Sequence, residues 1–250
     1  MMARYQVILV YDGTEFFGFQ RQARERTIQG VVEDALRQMG WHGKAILAAG
    51  RTDTGVHASG QVIAFDLDWT HSPDDLRNGL NANLPADVAA YQVALTRPDF
   101  HPRYDAIARR YRYQIYCHPT RDPLRERYAW RVWPALSCEA LQQAASFLLG
   151  RHDFSAFGTP PRPGGTTERI VSEVSWQAGG DQLTFEVVAN AFLYRMVRRM
   201  VSVQVAIARG KFPADALATY LAERSEGLIQ GLAPPQGLIL VEVIYPPDLG

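Results

Sequence analysis

The chain has 250 residues, with 26 basic and 26 acidic side chains, 47% hydrophobic and 21% charged residues. That composition supplies an ordinary core for one large or two smaller domains and excludes a disordered chain. A net charge of zero excludes a uniformly basic polyanion binder. Cys117 and Cys138, with no CxxC spacing and no neighbouring histidine cluster, exclude a disulfide scaffold or a zinc finger.

The elements follow from periodicity and turn chemistry. Tyr5 to Tyr11 is short, apolar and β-rich and ends at Asp12-Gly13, a strand running into a turn. Thr27 to Met39 carries Ile28, Val31, Val32, Ala35, Leu36 and Met39 as a helical stripe, with Thr27 as N-cap and Gly40 as stop. Lys44 to Ala49 reads as a strand, Gly50 to Gly60 as a loop and Gln61 to Leu67 as a strand. Pro73 to Leu80 reads as a helix capped by Ser72, and Val88 to Ala94 as a strand. Phe100 to Ala106 is polar and turn-like. Arg109 to Tyr116 alternates, with Tyr111, Tyr113 and Ile115 on one face. Ser137 to Leu149 is an amphipathic helix stopped by Gly150, and Thr159 to Thr167, rich in Pro and Gly, is a loop. Ile170 to Gln177 and Gln182 to Ala189 form a hairpin across Gly179-Gly180. Two helices, Phe192 to Ala208 and Pro213 to Glu223, and a strand, Leu238 to Tyr245, complete the order.

This order predicts an α+β fold, with two similar α/β lobes around a mixed, mainly antiparallel central sheet and helices packed on it. The polar stretch near residue 105 divides the chain into an N-terminal lobe, 1–105, and a C-terminal lobe, 106–250. The N-terminus lacks a signal-peptide core and no apolar run approaches the roughly 18 residues of a membrane span. A soluble, cytoplasmic protein without a membrane partner is the expectation.

Charge is unevenly distributed. Arg103 to Arg131 holds eight Arg against three acids, a balance of +5, and Ala191 to Phe212 also balances at +5, while Asp66 to Asp87 balances at −4. Such segments suit a face for an anionic partner or a set of salt-bridged solvated faces. Of the basic residues only Lys44 and Lys211 are lysine. Arginine suits phosphate recognition, although compositional bias alone produces the same pattern.

The densest chemistry lies in Gly50-Arg51-Thr52-Asp53-Thr54-Gly55-Val56-His57-Ala58-Ser59-Gly60-Gln61-Val62. Glycines let a ligand approach the backbone closely, and a carboxylate on such a loop serves as nucleophile, base, metal ligand or turn residue. His57 and His101 lack a HExxH or paired-carboxylate context, so they read as structural hydrogen-bonding residues and no metal is expected.

This segment resembles the signature of the tRNA pseudouridine synthase A family, from which it departs at Thr54, where Ala is usual. Further resemblances run along the chain: Tyr11 to Gln20, Thr27 to Gly30, Asn81 to Pro85, Phe100 to Ala106, Arg109 to Tyr113, His152 to Phe157, Ala191 to Arg198 and Ala233 to Leu238. Ala191 and Ser202 stand where the family often has Gly.

The resemblance implies the pseudouridine synthase fold with an active-site cleft between lobes. It also implies isomerisation of uridine to pseudouridine at positions 38, 39 and 40 of the tRNA anticodon arm by a homodimer, with the C-terminal lobe contributing the dimer interface. Asp53 then matches the catalytic carboxylate, acting by addition at C6 of the uracil or by assisting loss of the base at C1′. Arg198 matches the arginine that pairs with it, since a nearby cation favours the ionised form. The plain alternative for Arg198 is a helix residue whose head reaches water. Tyr111 matches the tyrosine that stacks on the target base and serves in removal of the C5 proton, and Leu238 an apolar residue packed against that base. Read as residues alone, Tyr111 is an ordinary strand aromatic and Leu238 plain core. Arg51 is expected to hold the nucleotide or RNA backbone, and Arg21, Arg24, Arg110 and Arg112 to contact RNA. The family needs no cofactor and no metal. Two rival readings are a non-catalytic RNA-binding protein using the same cleft and a small-molecule hydrolase using Asp53 and His57.

Overall fold

The computed structural model describes residues 2–160, 164–223 and 231–247. In chain order the elements are β1 (Met2–Tyr11), α1 (Ile28–Gln38), β2 (Leu47–Ala48), β3 (His57–Asp68), α2 (Pro73–Asn83), β4 (Val88–Leu95), β5 (Ala108–Tyr116) and β6 (Trp130–Arg131). They continue with α3 (Cys138–Ser146), β7 (Gly150–Asp153), β8 (Glu168–Gly179), β9 (Gln182–Ala189), α4 (Met196–Ala208), α5 (Ala216–Glu223) and β10 (Leu238–Ile244). Most pairings are antiparallel, while β10 with β3 and β5 with β6 are parallel, so the α+β class with mixed strands holds.

Two units divide the chain: Met1–Ile107 with Ile239–Gly250, and Ala108–Leu238. The sequence suggested a single boundary at 105/106 and a C-terminal lobe running to residue 250. The chain instead returns to its first unit, because Ile239 and Leu240 pair in parallel with His57 and Ala58 and the Ile107 amide donates to the Ile244 carbonyl (2.9 Å).

In the first unit the strand order is β4-β1-β3-β10, with β2 beside β3. Tyr5, Val7 and Leu9 of β1 are buried, as alternation predicts, and meet Phe65, Ile63 and Gln61 across the ladder. Thr27 caps α1 by accepting from the Gly30 amide, and α2 begins with a full capping box between Ser72 and Asp75. Asn81 of α2 then clamps β4, accepting from the Ala90 amide (2.8 Å) and donating to its carbonyl (2.9 Å). The buried face of α1 includes Gln29 and Glu33 and leaves Val31 half-buried, a rotation away from the apolar stripe read in the sequence.

In the second unit the order is β5-β9-β8-β7, with β6 beside β5. Gly180 turns the β8/β9 hairpin at φ 64°. Trp176 of β8 ties the helices to the sheet: its amide donates to Gln142 of α3 and its indole N–H to the buried Gln204 of α4, both at 2.7 Å. Helix α4 starts at Met196, four residues after the expected start, because Arg195 adopts φ 63°, outside helical space. Strand β7 begins at Gly150, read from the sequence as a helix stop, and pairs with the start of β8.

Candidate active site

In the first unit the loop from Gly50 to Val56 presents Asp53, half-buried, between a buried Thr52 and a buried Val56. The lower end of the loop is fixed by Gln61, fully buried on β3, whose side-chain N–H donates to the Gly50 carbonyl (3.0 Å). The Asp53 carbonyl accepts from the Val56 amide (3.1 Å), and Gly55 completes that turn at φ 76°, a conformation that favours glycine.

Residues 11–19 form the wall behind this loop. The Phe19 amide donates to the Thr52 carbonyl (3.0 Å) and the Gly55 amide to the Phe16 carbonyl (3.3 Å). The Tyr11 and Thr52 hydroxyls share a buried hydrogen bond at 2.9 Å. The two stretches meet backbone to backbone: a Cβ on Gly13 would stand 2.0 Å from the Val56 carbonyl oxygen, and one on Gly18 2.8 Å from the Thr52 carbonyl oxygen. His57 is buried, and its Nδ1 accepts from the Gly13 amide (3.0 Å). Asp12 Oδ1 lies 3.1 Å from the same nitrogen. The amide donor gives Nδ1 the acceptor role, which makes His57 a post for residues 12–13, the structural part read from the sequence.

In the second unit Tyr111 and Tyr113 project from β5. Tyr111 is half-buried and meets Phe192 edge-on, with centroids 4.9 Å apart. Tyr113 is fully buried; its hydroxyl donates to the Pro234 carbonyl (2.7 Å), and Gly237 lies so close that a Cβ there would be 2.7 Å from the ring. Burial pushes the Tyr113 phenol well above the usual tyrosine range, against a smaller opposing effect of the Arg198 charge. Arg198 is only 8% exposed; its Nε donates to the Ala233 carbonyl (2.7 Å), and its own carbonyl accepts from the Ala233 amide (3.2 Å). Arg198 and Tyr113 thus pin residues 233–237, which lead into the buried Leu238. Tyr113 was read only as a strand aromatic; its place in the Arg109 to Tyr113 motif was the available signal.

The arginines expected to meet RNA fall into two groups. Arg21 is bound by the fully buried Glu33 carboxylate (2.5 Å), Arg112 by Glu186 (2.7 Å) and Arg110 by Glu173 (2.8 Å). Arg24 and Arg51 are exposed. Among the described residues no group of three or more His, Cys, Asp or Glu side chains is arranged to hold a metal ion, and no helix is long and apolar enough to cross a membrane.

The model of a family described as tRNA pseudouridine synthase matches residues 7–105 and 144–246. The chain is 40% identical to tRNA pseudouridine synthase A of Shouchella clausii over 98% of this chain and 94% of that one. It is 38% identical to that of Lactiplantibacillus plantarum (98% and 95%) and 39% identical to that of Myxococcus xanthus (98% and 92%). A solved Cbf5-Nop10-Gar1 complex is similar at a TM-score of 0.35 and 11% identity over 80% of this chain and 44% of that one, too remote to bear on the site. The chain belongs to the tRNA pseudouridine synthase family, and its full-length relatives place it with the synthase A type. It is accordingly an isomerase with the pseudouridine synthase fold.

Proposed function

We propose that this isomerase converts uridine to pseudouridine at positions 38, 39 and 40 in the anticodon stem-loop of tRNA, acting in the cytoplasm as a homodimer, with Asp53 as its catalytic carboxylate. The observation that carries the reading is the mounting of Asp53. It is a half-exposed carboxylate between a buried Thr52 and a buried Val56; Thr52 and Gly55 are bonded to residues 11–19, and the Val56 amide to the Asp53 carbonyl. A carboxylate held so rigidly meets the reacting base with little ordering left to do.

The reaction breaks the C1′–N1 bond, turns the base and joins C1′ to C5, after which the C5 proton leaves. No atom is gained and no redox partner is needed, and no cofactor or metal enters the proposal. Ionised Asp53 supplies the nucleophile, at C6 of the base or in assisting its departure from C1′. Arg198 supplies the compensating cation, Tyr111 a stacking ring for the extruded uracil and a group for C5 proton removal, and Leu238 an apolar surface for the base. Arg51 and Arg24 take the first RNA backbone contacts. Arg21, Arg110 and Arg112 are partly neutralised by their carboxylates and stand second.

Tritium release from tRNA transcript labelled at C5 of uridine tests this. Wild type should release tritium and Asp53→Asn none above background, with tRNA binding kept. A folded, tRNA-binding wild type that releases no tritium sinks the reading. Release by both proteins would keep the activity and overturn the role of Asp53.

A further inference from the structure

At the start of α4 the chain exposes two consecutive side chains between buried ones. Leu193 and Met196 are buried, while Tyr194 is 51% exposed and Arg195 is exposed. The Arg195 guanidinium lies over the Tyr194 ring, 4.7 Å from its centroid. One turn on, Arg199 donates its amide to the Arg195 carbonyl (3.1 Å), which fastens Arg195 to the first turn of the helix. Among the described residues neither Arg195 nor Arg199 makes an ion pair. Arg26, Arg97, Arg110, Arg112 and Arg125 each have a carboxylate within 2.9 Å.

The backbone under this pair is fixed. The Tyr194 amide donates to the Thr159 carbonyl (3.0 Å), and Gly158 packs so tightly that a Cβ there would stand 2.4 Å from the Tyr194 carbonyl oxygen. Arg195 itself holds φ 63°, the one left-handed non-glycine among the described residues. Glycine would take that conformation freely, so the position keeps a guanidinium at the expense of backbone strain. Phe192, two residues before Tyr194, is the residue that meets Tyr111 edge-on.

We propose that Tyr194 and Arg195 form a docking point for the tRNA backbone beside the target nucleotide. The guanidinium fork takes a phosphate, and the tyrosine ring holds that fork in place and meets the adjoining sugar and base. Among the described residues the charge has no carboxylate partner, and the planar fork suits a phosphate. An exposed ring serves any unstacked base without reading its sequence. This rests on the reading of the chain as an enzyme acting on tRNA.

Filter binding of tRNA transcript across a salt series, run beside the tritium assay, tests the proposal. Arg195→Ala and Arg195→Gly should both weaken binding about tenfold near 0.1 M salt and flatten the plot of log affinity against log salt by about 0.7–0.9. Tyr194→Ala should weaken binding about fivefold with little change in slope. Arg151→Ala, an exposed arginine on β7, should match wild type. Wild-type affinity and slope in both Arg195 variants overturn the proposal. So does loss in Arg195→Ala but not in Arg195→Gly, which would assign the effect to the backbone. An equal flattening in Arg151→Ala also overturns it. A wild type that releases no tritium overturns the parent reading and this one with it. A wild type that does so beside insensitive Arg195 variants overturns this one alone.

Discussion

The hydroxyls of Tyr11 and Thr52 lie 2.9 Å apart, buried at the point where the end of β1 meets the residue before Asp53. One bond therefore ties the position of the proposed catalytic carboxylate to the end of β1. Tyr11 is on a strand that pairs with both β3 and β4, so the tie reaches a strand hydrogen-bonded on both sides.

Breaking that tie from one side should harm both stability and turnover. Tyr11→Phe or Thr52→Val leaves a buried hydroxyl without this partner, which costs about 1–3 kcal/mol. Urea denaturation should show that loss in each single variant. The double variant should lose less than the sum, by about 1 kcal/mol or more, since the bond is absent from both singles. Turnover should fall in Tyr11→Phe while KM for tRNA holds, because the residue positions Asp53 and does not touch RNA. Strict additivity in stability and turnover would show that the two hydroxyls act independently.

The two glycines of the same region should respond in opposite ways. A Cβ at Gly13 meets the Val56 carbonyl oxygen at 2.0 Å, whereas one at Gly50 meets nothing within 4 Å. Gly13→Ala must push the residue 11–19 stretch off the Asp53 loop, with a loss of about 2–3 kcal/mol and at least a tenfold fall in tritium release. Gly50→Ala should stay within about 0.5 kcal/mol of wild type. Equal stabilities in thermal melts would contradict the backbone contact between the two stretches.

These contrasts explain what was legible in the sequence. The capped helices α1 and α2 were readable because Thr27 and Ser72 satisfy their amides locally, and local chemistry is what periodicity and capping report. The Asp53 loop was readable because its glycines and polar residues break two apolar strands, although the strand after it starts at His57, earlier than expected. The late start of α4 was hidden, since its break is an arginine in a conformation that favours glycine. The neutralisation of Arg21 was hidden too. Glu33 lies outside the apolar stripe read for this helix, and only folding shows its carboxylate enclosed by the Ile46 amide, Gln29 and Arg21. Strand β2 falls inside the segment Lys44 to Ala49 read as a strand, whereas the short strand β6 exists only through pairing with β5, which no local signal carries.

The salt dependence of tRNA binding should separate the arginines by their partners. Arg51→Ala and Arg24→Ala remove exposed charges and should each flatten the log–log slope by about 0.7–0.9. Arg112→Ala removes a charge already set against Glu186 at 2.7 Å and should change the slope far less. Arg21→Ala should chiefly lower the melting temperature, because it strips a partner from a carboxylate with no exposure. Equal flattening by all four would mean that RNA displaces the internal carboxylates.

Alkaline stability should expose Tyr113. Its phenol is fully buried and its pKa is raised by desolvation, so the folded state keeps the proton longer than the unfolded chain. A raised folded pKa leaves stability intact below the unfolded value of about 10 and removes it progressively as pH climbs above that value. Tyr113→Phe loses the bond to the Pro234 carbonyl and should be less stable than wild type at neutral pH by about 1–2 kcal/mol. Between about pH 9.5 and 11 its melting temperature should fall less steeply than that of wild type, so the gap narrows. Parallel curves over that range would mean that the phenol ionises as readily in the folded protein as in the unfolded chain. Residues 233–237 would then be held mainly by Arg198 through Ala233.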